Sequence, residues 1–141
     1  MRLYSVAIVS LAINAPTKWT DNLLAHHHIE DVRSRARGVS RGIAWSGLVR
    51  IALIRELHVE IGCGVREAVA LAALLLRAPS GTAATGPWVT VSLQRVAFEQ
   101  ELQRRLTDVL ESAPRPRRGR PVGRAGAGLR GHQRERSLAA E

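Results

Sequence analysis

Over residues 4–76 the apolar positions recur with the period of short helices rather than strands. Ser5 precedes an apolar run and can cap a helix over 6–13, whose apolar side chains surround the axis and should be buried on most sides. Asn14 tolerates the left-handed backbone of a tight turn, and Pro16 suits the first turn of a second helix over 16–25. Two short helices joined by a tight turn make a helix-turn-helix unit. The segment 33–43 breaks the periodicity. It is punctuated by Gly38 and Gly42, with Ile29, Val39 and Ile43 as scattered apolar anchors, and reads as a small β-hairpin with a solvated arginine tip.

A third helix is predicted over 46–61, capped by Ser46 and stopped by Gly62. It carries one stripe of Ile54, Leu57 and Ile61 and another of Leu48, Ala52 and Val59, so it should be buried on two sides and central to the fold. A fourth helix over 65–77 ends before Pro79. The stretch Ala68 to Leu76 is the most apolar in the chain but falls short of the roughly 18–20 residues of a membrane span. A Ser-Gly-Thr-rich linker then reaches Gly86. Trp88 to Leu93 alternates like a short strand or an extended lead into a helix. In the predicted helix over 93–111, Phe98, Leu102, Leu106, Val109 and Leu110 share one face, and Glu101 and Arg105 stand at pairing distance on another. Such a helix either folds back on the body, pairs with a second copy or binds another protein. Residues 113–141 have two leucines and a valine as their only large apolar residues, so they are expected to be a disordered basic tail.

The expected organisation is therefore mainly helical: residues 1–78 a winged helix-turn-helix unit with a hairpin wing, 79–87 a linker, 88–112 an amphipathic helical segment and 113–141 the tail. Composition supports helices, since 45% of the 141 residues are hydrophobic while only 4% are aromatic, leaving the core to aliphatic side chains. Cys63 is the sole cysteine, which excludes an intramolecular disulfide and a zinc site held by cysteines alone, and fits a reducing cytoplasm. The apolar stretch from Leu3 to Ala15 superficially resembles a signal peptide. Ser5, Ser10 and Asn14 dilute it and Pro16 disfavours cleavage, so it reads as a helix of the body.

The formal net charge of +9 calls for an anionic partner. The charge is uneven: residues 113–141 hold +6 of it and the body only +3. No phosphate loop, dinucleotide fingerprint, nucleophile elbow or zinc-protease motif is present, so no enzymatic activity and no cofactor is expected. His26, His27 and His28 are consecutive, and helical neighbours point about 100° apart, which does not converge on one metal ion. They are expected to end the second helix, where a protonated imidazole favours the carbonyl end of the dipole. Trp19, Trp45 and Trp88 are read as packing residues.

The order of these features resembles the N-terminal domain of MerR-type regulators. The likeness rests on Tyr4-Ser5, the helix ending before Asn14, Thr17-Lys18-Trp19, Gly38-Val39-Ser40-Arg41, the apolar run Leu48 to Leu57, and Gly62. It covers about half the chain. The turn has Asn14 where the family usually has Gly, Lys18-Trp19 replaces an Arg-aromatic pair, and no long dimerisation helix follows the fourth helix.

The resemblance implies a bacterial, cytoplasmic, nucleoid-associated transcriptional regulator that reads DNA. Its second helix would enter the major groove with Thr17, Lys18, Thr20, Asp21 and Asn22, Asn reading adenine and Lys reaching guanine or phosphate. Arg33, Arg35, Arg37 and Arg41 of the wing would touch phosphates or the minor groove. In the tail, Arg118-Gly119-Arg120-Pro121 resembles an AT-hook core, and Arg118 and Arg120 would add affinity either in that way or as part of a generic polybasic segment. A homodimer through the 93–111 helix is a further expectation. Two alternatives stand beside this reading. One is an antitoxin-like protein that binds its own promoter through the helix-turn-helix and a toxin through the C-terminal helix and tail. The other is a non-catalytic helical module that binds protein or RNA. No membrane association is expected.

Overall fold

The computed structural model describes residues 2–33 and 41–112. The described residues form five α-helices and two small antiparallel hairpins packed into one apolar core. Helix α1 (Val6–Ala12) begins at Ser5, whose side chain accepts a hydrogen bond from the Ile8 N–H. Asn14 then takes φ 54°, the left-handed turn expected of it, and α2 (Thr17–His26) follows Pro16. The first hairpin pairs β1 (Val32–Arg33) with β2 (Gly42–Ile43) in the register Val32–Ile43 and Arg33–Gly42. Tyr4 bridges to Ile43 through both backbone groups, which ties the chain's start to the hairpin. The expected arginine tip, with Arg35 and Arg37, lies outside the described residues, as does the expected tail with Arg118 and Arg120.

Helix α3 (Trp45–Glu56) is the centre of the core, with Leu48, Ile51 and Ile54 fully buried. Its start differs from expectation. Ala44 occupies the capping position, and the Ser46 hydroxyl donates instead to Asp31 Oδ2 at 2.6 Å, fastening α3 to the segment before β1. Its end differs too. Leu57–Ile61 form a π-helical turn that closes on Gly62, which adopts φ 81° as the stop signal predicted. The wider turn rotates the last residues out of register with the preceding stripes, so Val59 and Ile61 are exposed although both were expected to be buried.

Helix α4 (Val65–Arg77) packs on α3, and it buries Ala68, Leu71, Ala72 and Leu75. The presumed linker is structured. β3 (Thr82–Ala84) pairs with β4 (Thr90–Ser92), and Ala83 joins the core. The helix that follows, α5 (Arg95–Ser112), folds back across α1 and α3 with Leu102 and Leu106 buried. Phe98, Val109 and Leu110 pack partly buried against the same core. Of the three outcomes expected for this helix, the structure has it folded back on the chain's own body, which covers the apolar face proposed for pairing with a second copy or a partner.

One further expectation changes: Trp88 is not a packing residue, since it is 90% exposed at the turn before β4. Helix α1 keeps Leu11 on its one open side, 66% exposed. Among the described residues no helix is long and apolar enough to cross a membrane.

Candidate nucleic-acid interface

The amphipathicity of α2 divides it into two faces. Thr20 and Leu23 are buried, and Trp19 and Leu24 are half-buried against the core. Thr17, Lys18, Asp21, Asn22 and Ala25 are exposed and lie on one side of the helix at positions i, i+1, i+4, i+5 and i+8. Of the α2 residues expected to contact DNA, Thr17, Lys18, Asp21 and Asn22 therefore share an outward stripe. Thr20 does not. It is 0% exposed and its hydroxyl accepts a hydrogen bond from Ser10 at 2.7 Å, so it cannot reach a groove while α1 and α2 remain packed. Thr20 was expected to stand with them at the exposed start of the helix, and its burial against α1 overturns that.

Trp19 packs inward, as expected. Its ring stacks on His58 with centroids 6.3 Å apart, and the Arg55 guanidinium lies 4.8 Å above its centroid. His58 belongs to the π-helical turn, and its Nδ1 lies 2.7 Å from the Cys63 carbonyl oxygen, so that nitrogen carries the proton and donates. The π-turn and the Trp19 ring thereby fix how α2 sits against α3. The sequence alone did not single out His58 or Arg55 for this, since neither falls on an apolar stripe.

The first hairpin adds two arginines. Arg33 is exposed on β1, and Arg41 is half-exposed immediately before β2. The register Arg33–Gly42 brings them to the same end of the ladder. Between this hairpin and the last turn of α2 is a cavity of about 310 Å³ lined by His26, His27, His28 and Arg41 together with Ala25 and Val32. A second cavity of about 450 Å³ lies on the other side of the same turn, where Trp19, Asn22, His26, His27 and His58 meet. Sequence reasoning missed both cavities. The run of histidines was visible, but its meeting with Arg41 depends on the hairpin folding back beside α2.

His26 is the last residue of α2 and His27 its cap, as expected. Among the described residues no three His, Cys, Asp or Glu side chains are arranged to hold a metal ion. The clearest electrostatic perturbation lies elsewhere, on α5. There Arg104 and Arg105 hydrogen-bond to Glu101 and hold its carboxyl down to about 2, from an ordinary 4.5.

Neither a family model, a curated protein nor a solved structure matches this chain.

Proposed function

We propose that this protein is a small sequence-specific DNA-binding regulator of the MerR-like, winged helix-turn-helix type, with α2 reading the major groove and the β1–β2 hairpin resting on the adjacent backbone. The observation that carries the reading is the outward stripe of α2. Thr17, Lys18, Asp21 and Asn22 are free of the core, while Thr20 and Leu23 hold the helix rigidly by its other side. This combination suits groove reading, because polar side chains on a helix held in one position can reach and discriminate base edges. Arg33, exposed, and Arg41, half-exposed, would contact phosphates and set register without specifying sequence. The basic tail adds sequence-independent affinity.

Selection of bound duplexes from a random pool by the full chain tests the reading. A defined consensus is expected. Asn22→Ala should relax one position of it at a cost of about 1–3 kcal/mol. Lys18→Ala should do the same if Lys18 contacts a base, or weaken all sequences alike if it contacts a phosphate. Recovery of unenriched sequences, with affinity unchanged by either substitution, would overturn base reading by α2.

A second reading, a protein-binding antitoxin-like role, draws on one observation: Trp88 and Val89 are 90% and 58% exposed between β3 and β4. Exposed tryptophan is a frequent anchor of protein interfaces. The partner surface would then be this turn, since the apolar face of α5 is covered. An adjacent gene encoding a small toxin would favour that role.

A further inference from the structure

Beside its outward stripe, α2 forms one wall of the cavity of about 450 Å³, where Trp19, Asn22 and Leu23 meet His58 of the π-helical turn and Val65 at the start of α4. This volume falls within the roughly 300–1,000 Å³ of small-molecule sites. The lining is graded. Leu23 is buried, Trp19, His58 and Val65 are half-buried, and Asn22 is exposed. Apolar and aromatic walls with a few polar groups to fix orientation are the usual composition of such a site.

The two rings are held in place by the protein itself. The Arg55 guanidinium lies 4.8 Å from the Trp19 centroid, and His58 stacks on Trp19 with 24° between the ring planes. His58 Nδ1 donates to the Cys63 carbonyl oxygen, which leaves Nε2 of the neutral imidazole as an acceptor. The π-turn that carries His58 is a distortion found frequently at functional sites.

Three features select the occupant. Indole and imidazole rings in the lining favour a flat ligand. The Asn22 amide offers a donor and an acceptor side by side, the pair complementary to the N6–N7 edge of adenine. Among the described residues no carboxylate, lysine or arginine lines the cavity, so a charged group would lose its hydration without gaining a fixed partner there. An uncharged planar heteroaromatic ring with an adjacent donor and acceptor meets all three conditions.

We propose that this cavity binds an adenine ring, stacked beside Trp19 and His58 and paired along its N6–N7 edge with Asn22. A free nucleoside and an unpaired base of a nucleic-acid strand present the same ring. The site does not depend on groove reading by α2 and shares only Asn22 with it.

The test titrates the ¹⁵N-labelled full chain with adenosine and follows the indole N–H signals of its three tryptophans. The Trp19 signal should move and saturate with a Kd below about 1 mM, while that of Trp88, which does not line the cavity, stays in place. Thymidine lacks the N6–N7 edge and should bind about tenfold more weakly or worse. Asn22→Leu keeps the size of an exposed side chain and removes its hydrogen bonds, and should weaken adenosine binding about tenfold. Val65→Phe places a ring in the open cavity and should abolish binding, while the stripe of Thr17, Lys18, Asp21 and Asn22 is unchanged. Thermal melts confirm that each variant is folded. Oligodeoxyadenylate and oligodeoxythymidylate of equal length separate the sources, because the basic tail acts on both strands alike. Saturable adenosine binding assigns the site to a free nucleoside. A preference for the adenylate strand alone, lost in Val65→Phe, assigns it to a base of a strand.

The proposal is overturned if neither adenosine nor the adenylate strand binds in a way that Val65→Phe removes. It is equally overturned if thymidine binds as well as adenosine, or if Asn22→Leu binds adenosine like the parent. Its failure is distinguishable from failure of the DNA reading. A parent that selects a consensus duplex but binds no adenine loses this site and keeps base reading, and one that binds adenine without selecting a consensus does the reverse.

Discussion

The Ser10 hydroxyl donates to the Thr20 hydroxyl at 2.7 Å, with both residues at or below 1% exposure. This buried bond joins α1 to α2 and sets the angle at which the outward stripe of α2 is presented. Removing one partner leaves the other hydroxyl buried without its bond. Thr20→Val should therefore destabilise the fold by about 1–3 kcal/mol, and Ser10→Ala similarly. The double substitution should cost clearly less than the two together, because it leaves no orphaned hydroxyl. Urea denaturation of the two single variants and the double variant measures the coupling. Strict additivity would mean that the bond contributes nothing to joining the helices.

Leu106 is 0% exposed on α5, which packs against α1 and α3. Leu106→Ala should cost about 2–5 kcal/mol and lower the midpoint of a single unfolding transition. A helix that formed a separate interaction segment would behave otherwise: the substitution would leave the main transition in place and melt only a minor phase. Circular dichroism against denaturant distinguishes the two.

Gly47 lies in the first turns of α3, where a Cβ would meet the Asp31 carbonyl oxygen at 2.9 Å and that of Glu30 at 3.2 Å. Helix propensity favours alanine over glycine by about 1 kcal/mol. The obstruction is backbone, held in place by the Ser46–Asp31 hydrogen bond and by the Ala44 N–H donating to the Asp31 oxygen. Gly47→Ala should thus destabilise on balance, by about 1–3 kcal/mol, and loosen the hairpin against α3. Thermal denaturation provides the measurement, and a rise in Tm would show that the segment before β1 yields easily.

Glu101 has its carboxyl held at about 2 by hydrogen bonds from Arg104 and then Arg105. A depressed carboxyl favours the folded state above its ordinary value of 4.5, and that contribution is lost as pH falls from 4.5 towards 2. The group faces solvent, so screening makes the effect small and salt-sensitive. Glu101→Gln should flatten the acid limb of Tm against pH in this window and leave a smaller difference at high salt. An unchanged acid limb would show that the arginines contribute no linkage.

Several helix boundaries were legible along the chain. Ser5, Asn14, Pro16 and Gly62 mark helix boundaries through capping and backbone preference, which act over a few residues, and the structure follows each of them. The apolar period of α5 likewise identified its buried face, because a helix face is a property of spacing alone.

What the sequence left open concerned partners distant along the chain. The exposed stripe and the buried Thr20 of α2 could not be separated until α1 supplied Ser10 as a partner. The 79–87 stretch read as a linker because two three-residue strands carry almost no signal until they pair. The apolar face of α5 was legible, but only tertiary packing decided that α1 and α3 cover it. The histidine and arginine cavity is likewise a product of the fold, since Arg41 and the α2 terminus meet only once the hairpin returns. Periodicity and capping are local and act through the backbone, whereas which surface a face meets depends on the packing of the whole chain.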